Sequence, residues 1–147
     1  MLKINKKVEY ALMALKYMAS KPIGELSSAR EICEQFSIPF DTTSKVMQLM
    51  NNKNILQAKQ GIKGGYVLAR PLSEVTFMEL SKVIEKKSFQ SSCETSKGMC
   101  ELYGSCNIID PVSQLGNKIN QFLEELTLED LLFNNKRIQI TQSLSVI

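Results

Sequence analysis

A chain of 147 residues, 44% of them hydrophobic, is long enough for one domain and apolar enough to bury a core, which excludes wholesale disorder. No apolar run approaches the roughly 18 residues needed to cross a bilayer, and the cationic N-terminus runs straight into a helical pattern without a small-residue cleavage site, so a cytoplasmic protein with no membrane partner is expected. The net charge of +3 hides an asymmetry: residues 1–70 hold 11 Lys/Arg against 5 Asp/Glu and residues 71–147 hold 7 against 10, so the N-terminal half is the part expected to meet a polyanion unless its cations are only a solvated face.

Residues 5–20 place Val8, Ala11, Leu12, Leu15 and Met18 at helical spacing, and "KPIG" stops that helix at 21–24. Ser28 and Glu31 form an S-x-x-E capping box opening a short helix, "SSAREICEQF". Ser37, Ile38 and Pro39 break it, because proline fixes its own φ and pushes its predecessor toward an extended conformation. A second helix follows over about 40–52 with Val46, Leu49 and Met50 facing inward. Two short helices around a tight turn outline a helix-turn-helix. Ile55 to Lys59 and Tyr66 to Ala69 suit short strands, and Gly61, Gly64 and Gly65 are expected to supply the positive-φ positions of the joining hairpin. A basic hairpin directly after a helix-turn-helix is the order of a winged helix.

Thr76 and Glu79 form another capping box, starting a helix to about Lys87. From Pro111 a long helix carries Ile108, Val112, Leu115, Ile119, Phe122 and Leu126 at alternating steps of four and three, a coiled-coil seam just under three heptads long. Thr127 with Asp130 opens a short final helix. The expected fold class is therefore mainly α with a small β-hairpin wing, a winged helix-turn-helix followed by a long C-terminal dimerisation helix. Its divisions are 1–87 for the DNA-binding domain, 88–107 for a cysteine loop, 108–133 for the dimerisation and final helices, and 134–147 for a tail.

Cys93, Cys100 and Cys106 lie in one loop, separated by six and five residues, in a chain without histidine. In a reducing compartment clustered thiols are metal ligands or redox thiols more often than disulfides. Soft thiolates select iron–sulfur clusters, zinc or copper(I), and the paired C-x-x-C knuckles typical of structural zinc are missing. A cofactor-free redox sensor stays open at this point. Cys33 follows Ile32 in the first helix of the helix-turn-helix, where a small apolar side chain suits core packing.

The stretch "IPFDTTSKVMQLMNNKNILQAKQGIKGGYVLARP", with the cysteine loop and the long helix ending in "LTLEDLL", resembles the Rrf-two family of bacterial winged-helix transcription regulators, whose members include IscR-, NsrR- and RirA-like proteins. The likeness spans roughly residues 1–133. It implies a homodimer on a palindromic operator in double-stranded DNA, acting for instance as a repressor. It also implies a 2Fe-2S or 4Fe-4S cluster on Cys93, Cys100 and Cys106 that senses iron, redox state or nitric oxide. IscR-like members use a histidine three residues after the third cysteine, where this chain has Ile109; NsrR-like members use a carboxylate near the partner's N-terminus, where it has Glu9. Glu9 is the sole acidic residue among the first twenty-four, and as a fourth ligand it stands against simple pairing with Lys6. Glu94, Glu101, Asn107, Asp110 or an external ligand stay open for the same role.

The DNA-contact candidates are Ser28, then Asp41, Thr42, Thr43, Ser44 and Lys45 near the start of the recognition helix, then Lys59, Gln60, Gly61 and Lys63 in the wing. Gln60 stands where the family commonly has a minor-groove arginine, so Lys59 or Lys63 takes the electrostatic part, and Thr42 replaces a common aromatic. A cluster-free thiol-sensing regulator and, in a different class, an iron–sulfur electron-transfer protein are the competing readings. An enzyme is not expected: the chain offers no histidine for general-base work and no glycine loop leading into a helix.

Overall fold

A computed structural model describes residues 3–86 and 100–134 of the chain. Cys93, the alternative ligand Glu94, the expected helix end at Lys87 and nearly all of the predicted tail lie outside the described residues.

Helix α1 (Lys6–Ala19) is capped by the Asn5 side chain, which accepts from the Lys7 amide at 2.9 Å, and it buries Val8, Ala11, Ala14, Leu15 and Met18 along one stripe. Helix α2 (Ala29–Phe36) opens on the expected capping box and ends at Ser37, which adopts left-handed φ/ψ of 52° and 45°. Pro39 sets the entry to α3 (Phe40–Asn52). Val46 and Met50 are buried as expected, Met47 with them, and Leu49 is half-buried. Strands β1 (Leu56–Lys59) and β2 (Gly65–Leu68) pair antiparallel with Leu56 opposite Leu68 and Lys59 opposite Gly65. A bridge between Ser27 and Tyr66 adds the segment before α2 to this ribbon. Helix-turn-helix and hairpin together make a winged helix.

The glycines of the hairpin differ in their work. Gly61 has φ +146° and needs the freedom of glycine. Gly64 and Gly65 do not have positive φ; they are small because a Cβ at Gly64 would meet the Lys59 carbonyl oxygen at 3.0 Å, and one at Gly65 would meet the Ser27 carbonyl oxygen at 2.9 Å. Close approach, not turn geometry, accounts for that pair.

A 3-10 turn (Leu72–Glu74) leads to α4 (Phe77–Glu85), whose Thr76 cap accepts from the Glu79 amide at 3.2 Å. The Glu79 carboxylate turns away from this box and takes the Arg70 guanidinium instead. Arg70 also donates to the carbonyls of Asn54 at 3.3 Å and Glu74 at 3.2 Å, tying the end of the wing to the start of α4.

Helix α5 (Ile109–Glu125) lies on α4, and α6 (Leu128–Leu132) turns back onto the 3-10 turn. Thr127 bridges Thr76; Phe77 donates to the Leu126 carbonyl, and the Leu128 amide to that of Val75, each at 2.8 Å. Leu128 is fully buried in one core with Leu15, Ile32, Met47, Met50, Ile55 and Leu80. The final helix is thus built into the winged-helix core.

Candidate nucleic-acid interface and cysteine loop

The outward face of α3 follows from its period. Thr43, Val46, Met47 and Met50 turn inward, leaving Asp41, Lys45, Gln48 and Asn52 exposed at steps of four, three and four, with Ser44 half-buried beside them. Thr43 is corrected from the list of contact candidates: it is 0% exposed, and its hydroxyl donates to the Pro39 carbonyl at 2.8 Å, where it braces the first turn. Thr42 is half-buried and Phe40 is exposed. Gln48 and Asn52 share this face but are missing from the sequence-based candidates; the place of Gln48 one turn beyond Ser44 and Lys45 was the available signal.

Ser28 is half-buried, and its hydroxyl accepts from the Glu31 amide at 3.1 Å as the cap of α2. Its carboxylate partner is the centre of a polar node. Tyr17 donates to Glu31 Oε1 at 2.6 Å, Lys21 donates to the same oxygen at 2.5 Å, and the Lys21 ammonium lies 4.9 Å from the Tyr17 ring centre. The hydrogen bond to Glu31 raises the Tyr17 pKa above its ordinary value. For Lys21 burial pulls downward, but hydrogen bonding to Glu31 and its charge prevail and the pKa is raised. The node sets the N-terminal end of α2 against α1.

The wing presents Lys59, Gln60, Gly61, Ile62, Lys63 and Gly64 as one exposed run. The Gly64 amide donates to the Gly61 carbonyl at 3.0 Å, closing a four-residue turn. Lys59 and Lys63 have no ion-pair partner among the described residues. Exposed unpaired cations on a narrow ribbon beside a recognition-type helix give a surface suited to a polyanion.

Residues 100–105 form two successive turns, with Tyr103 donating to the Cys100 carbonyl at 3.1 Å and Ser105 to the Leu102 carbonyl at 3.0 Å. Cys100 is exposed and Cys106 half-exposed, both as free thiols, and α5 begins three residues after Cys106. Cys33 is a buried free thiol, in keeping with core packing. The described residues do not assemble three His, Cys, Asp or Glu groups around one point. Glu9 lies in the first turn of α1 and pairs with Lys6 at 2.5 Å; its hydrogen bond raises the Lys6 pKa. Glu101, Asn107 and Asp110 are exposed near the thiols in sequence.

A winged helix-turn-helix with a bare cationic wing, followed by a cysteine-bearing turn segment and a long helix, defines the class of winged-helix regulators. A family model described as Rrf2, iron-dependent transcriptional regulator, matches residues 4–134. The HTH-type transcriptional regulator NsrR of Oceanobacillus iheyensis is 26% identical over 136 residues, covering 92% of each chain. Protein aau3 of Rhizobium meliloti is 28% identical over 133 residues, 89% of this chain and 85% of that one. Among solved structures, CymR, the global cysteine regulator of B. subtilis, superposes with a TM-score of 0.72 at 21% identity, covering 90% of this chain and 97% of that one. IscR of T. potens does so with 0.61 at 20% identity, covering 96% and 93%. These two structures share the fold. The chain belongs to the Rrf2 family of transcriptional regulators. Among the described residues no helix is long and apolar enough to cross a membrane.

Proposed function

We propose that the chain is a homodimeric DNA-binding regulator whose hold on a palindromic operator is governed by an iron–sulfur cluster on Cys93, Cys100 and Cys106. The observation that carries this reading is the placement of two accessible thiols on irregular backbone at the foot of α5, the helix with an uncovered apolar face. The donor chemistry fits such a group: soft thiolates in a chain without histidine, with Cys100 exposed and Cys106 half-exposed on turns. A bound cluster would supply a centre altered by nitric oxide, oxygen or loss of iron. Cys100 and Cys106 would hold the loop to it, and α5 would pass the loop's position to α4, which packs on α1 and α3. Asp41, Thr42, Ser44, Lys45 and Gln48 face the major groove, Lys59, Gln60, Gly61 and Lys63 the minor groove, and Ser28 the backbone. Because half-sites on DNA are spaced by the helical repeat, a small change in the angle between two recognition helices alters affinity strongly.

Glu9 is assigned as the fourth ligand, given by the partner subunit. Its pairing with Lys6 is an exposed ion pair, worth little and easily exchanged.

The test is iron and sulfide analysis with absorption spectra on full-length protein purified without oxygen. Coloured protein with matching iron and sulfide is expected, lost in Cys100→Ser and Cys106→Ser and altered in Glu9→Ala. Colourless, iron-free protein whose triple Cys→Ser variant grips DNA unchanged would overturn cluster control. Unchanged DNA binding of iron-free wild type together with oxidant sensitivity would assign thiol sensing instead.

A further inference from the structure

Ile62 sits at the tip of the wing, in the closed turn from Gly61 to Gly64, and is as exposed as in an extended peptide, at 107%. Nothing among the described residues asks for isoleucine there: it packs on none of them, and a β-branched side chain brings no turn chemistry of the kind Gly, Asn, Asp or Pro supply. Its surroundings specify the medium it meets. Lys59 and Lys63 flank it without ion-pair partners among the described residues, while Gly61 and Gly64 add no side-chain bulk to the tip. The other isoleucine exposed at 107%, Ile23, stands instead between Lys21 and Glu25, which pair at 3.5 Å, so it lies in neutralised surroundings.

We propose that Ile62 is an apolar wedge that enters the minor groove of duplex DNA and parts the stacking of one base step, with Lys59 and Lys63 taking the flanking phosphates. The claim deepens the DNA-binding reading above and rests on it. Reach agrees with it. Four strand residues advance about 13 Å before the turn begins, and half a helical repeat, the offset from a major groove to the next minor groove, is roughly 17 Å. Isoleucine is among the side chains that unstack base steps this way, bending the duplex toward the major groove. Specificity then arises at the wedge without a base-edge hydrogen bond, because flexible pyrimidine–purine steps part at lowest cost.

The experiment uses the full chain purified without oxygen and the tightest duplex it selects from a random-sequence pool. That duplex is scanned with 2-aminopurine at each position and end-labelled to report bending. Wild type is expected to raise 2-aminopurine fluorescence at one step per half-site and to bend the duplex. Ile62→Ala should abolish both signals and weaken binding roughly tenfold at an unchanged salt slope and melting temperature. Ile62→Met should restore both signals, and Lys63→Ala should instead lower the slope of log affinity against log salt by about one. Wild-type affinity and fluorescence in Ile62→Ala, or a loss that comes with a lowered salt slope, would overturn the wedge while leaving DNA binding intact. Failure of the wild-type chain to select any duplex would overturn the DNA-binding reading, and the wedge with it.

Discussion

At Gly65 the wing backbone presses against the backbone of Ser27, and the contact is tight enough to exclude a methyl group. A Cβ there would stand 2.9 Å from the Ser27 carbonyl oxygen and 3.1 Å from its carbon, both main-chain atoms that cannot swing aside. Overpacking of this kind costs about 2 kcal/mol, so Gly65→Ala should lower the thermal midpoint by roughly 4–8 °C. Ser27→Ala is the matched control. The Ser27 hydroxyl is buried without a hydrogen-bond partner among the described residues, so removing it should leave stability unchanged or raise it by up to about 1 kcal/mol. Calorimetry on both variants checks the pair, and an unperturbed Gly65→Ala would mean that the bridge to Tyr66 is slack. This scale was the least legible in the sequence. Glycine letters carry no record of whether they serve φ or proximity, and only Gly61 serves φ in the wing turn. Thr43 could have been read, since it shares a helical face with Met47 and Met50, but a hydroxyl beside a recognition surface looks the same as one that donates back to the carbonyl four residues earlier.

Between elements, α1 and α2 are held by a polar junction as well as by apolar packing. The hydrogen bond from Lys21, and after it that from Tyr17, holds the Glu31 carboxyl below the ordinary glutamate value of 4.5. The sign follows directly. A carboxyl with a lower pKa in the folded state contributes its full stability above the unfolded value, and that contribution fades as pH falls through the folded one. Glu31→Gln should therefore cost about 1 kcal/mol at neutral pH, less than a charged hydrogen bond usually contributes because the side chain still meets water. Below pH 4.5 the wild-type curve should fall toward that of the variant in urea titrations. Curves that stay parallel across that range would show that the charge of Glu31 does not hold α2. The Ser28-x-x-Glu31 box was legible because it is entirely local, whereas the extra load on the same carboxylate was not, because Tyr17 reaches it from α1 and Lys21 from the turn that follows α1. Glu79 teaches the converse: the same four-residue pattern forms only its first half, since Arg70 claims the carboxylate.

For the whole molecule the question is what covers α5. Along the predicted seam Ile108 and Leu115 are 55% and 57% exposed, while Leu126 and its neighbour Leu123 pack on the core. The seam was legible from its spacing, but its lower end is spent within the chain, because Leu126 and Leu128 make main-chain bonds to the start of α4. That return spans some fifty residues of sequence, and no local pattern announces it. The free upper part is a short apolar stripe beside the cysteine segment, and a second copy of α5 across a two-fold axis would bury it. Leu115→Arg places a cation in the centre of that stripe without touching the single-chain core. If the proposed dimer forms through α5, sedimentation should show monomers for the variant and dimers for wild type, with the thermal transition of the chain retained. On the proposed reading each monomer would grip one half-site alone, so affinity for a palindromic duplex should fall by about 10²–10⁴, the gain that linked binding provides, while affinity for a single half-site stays near that of wild type. A Leu115→Arg protein that remains dimeric would place the contact between copies elsewhere and detach the cysteine segment from it.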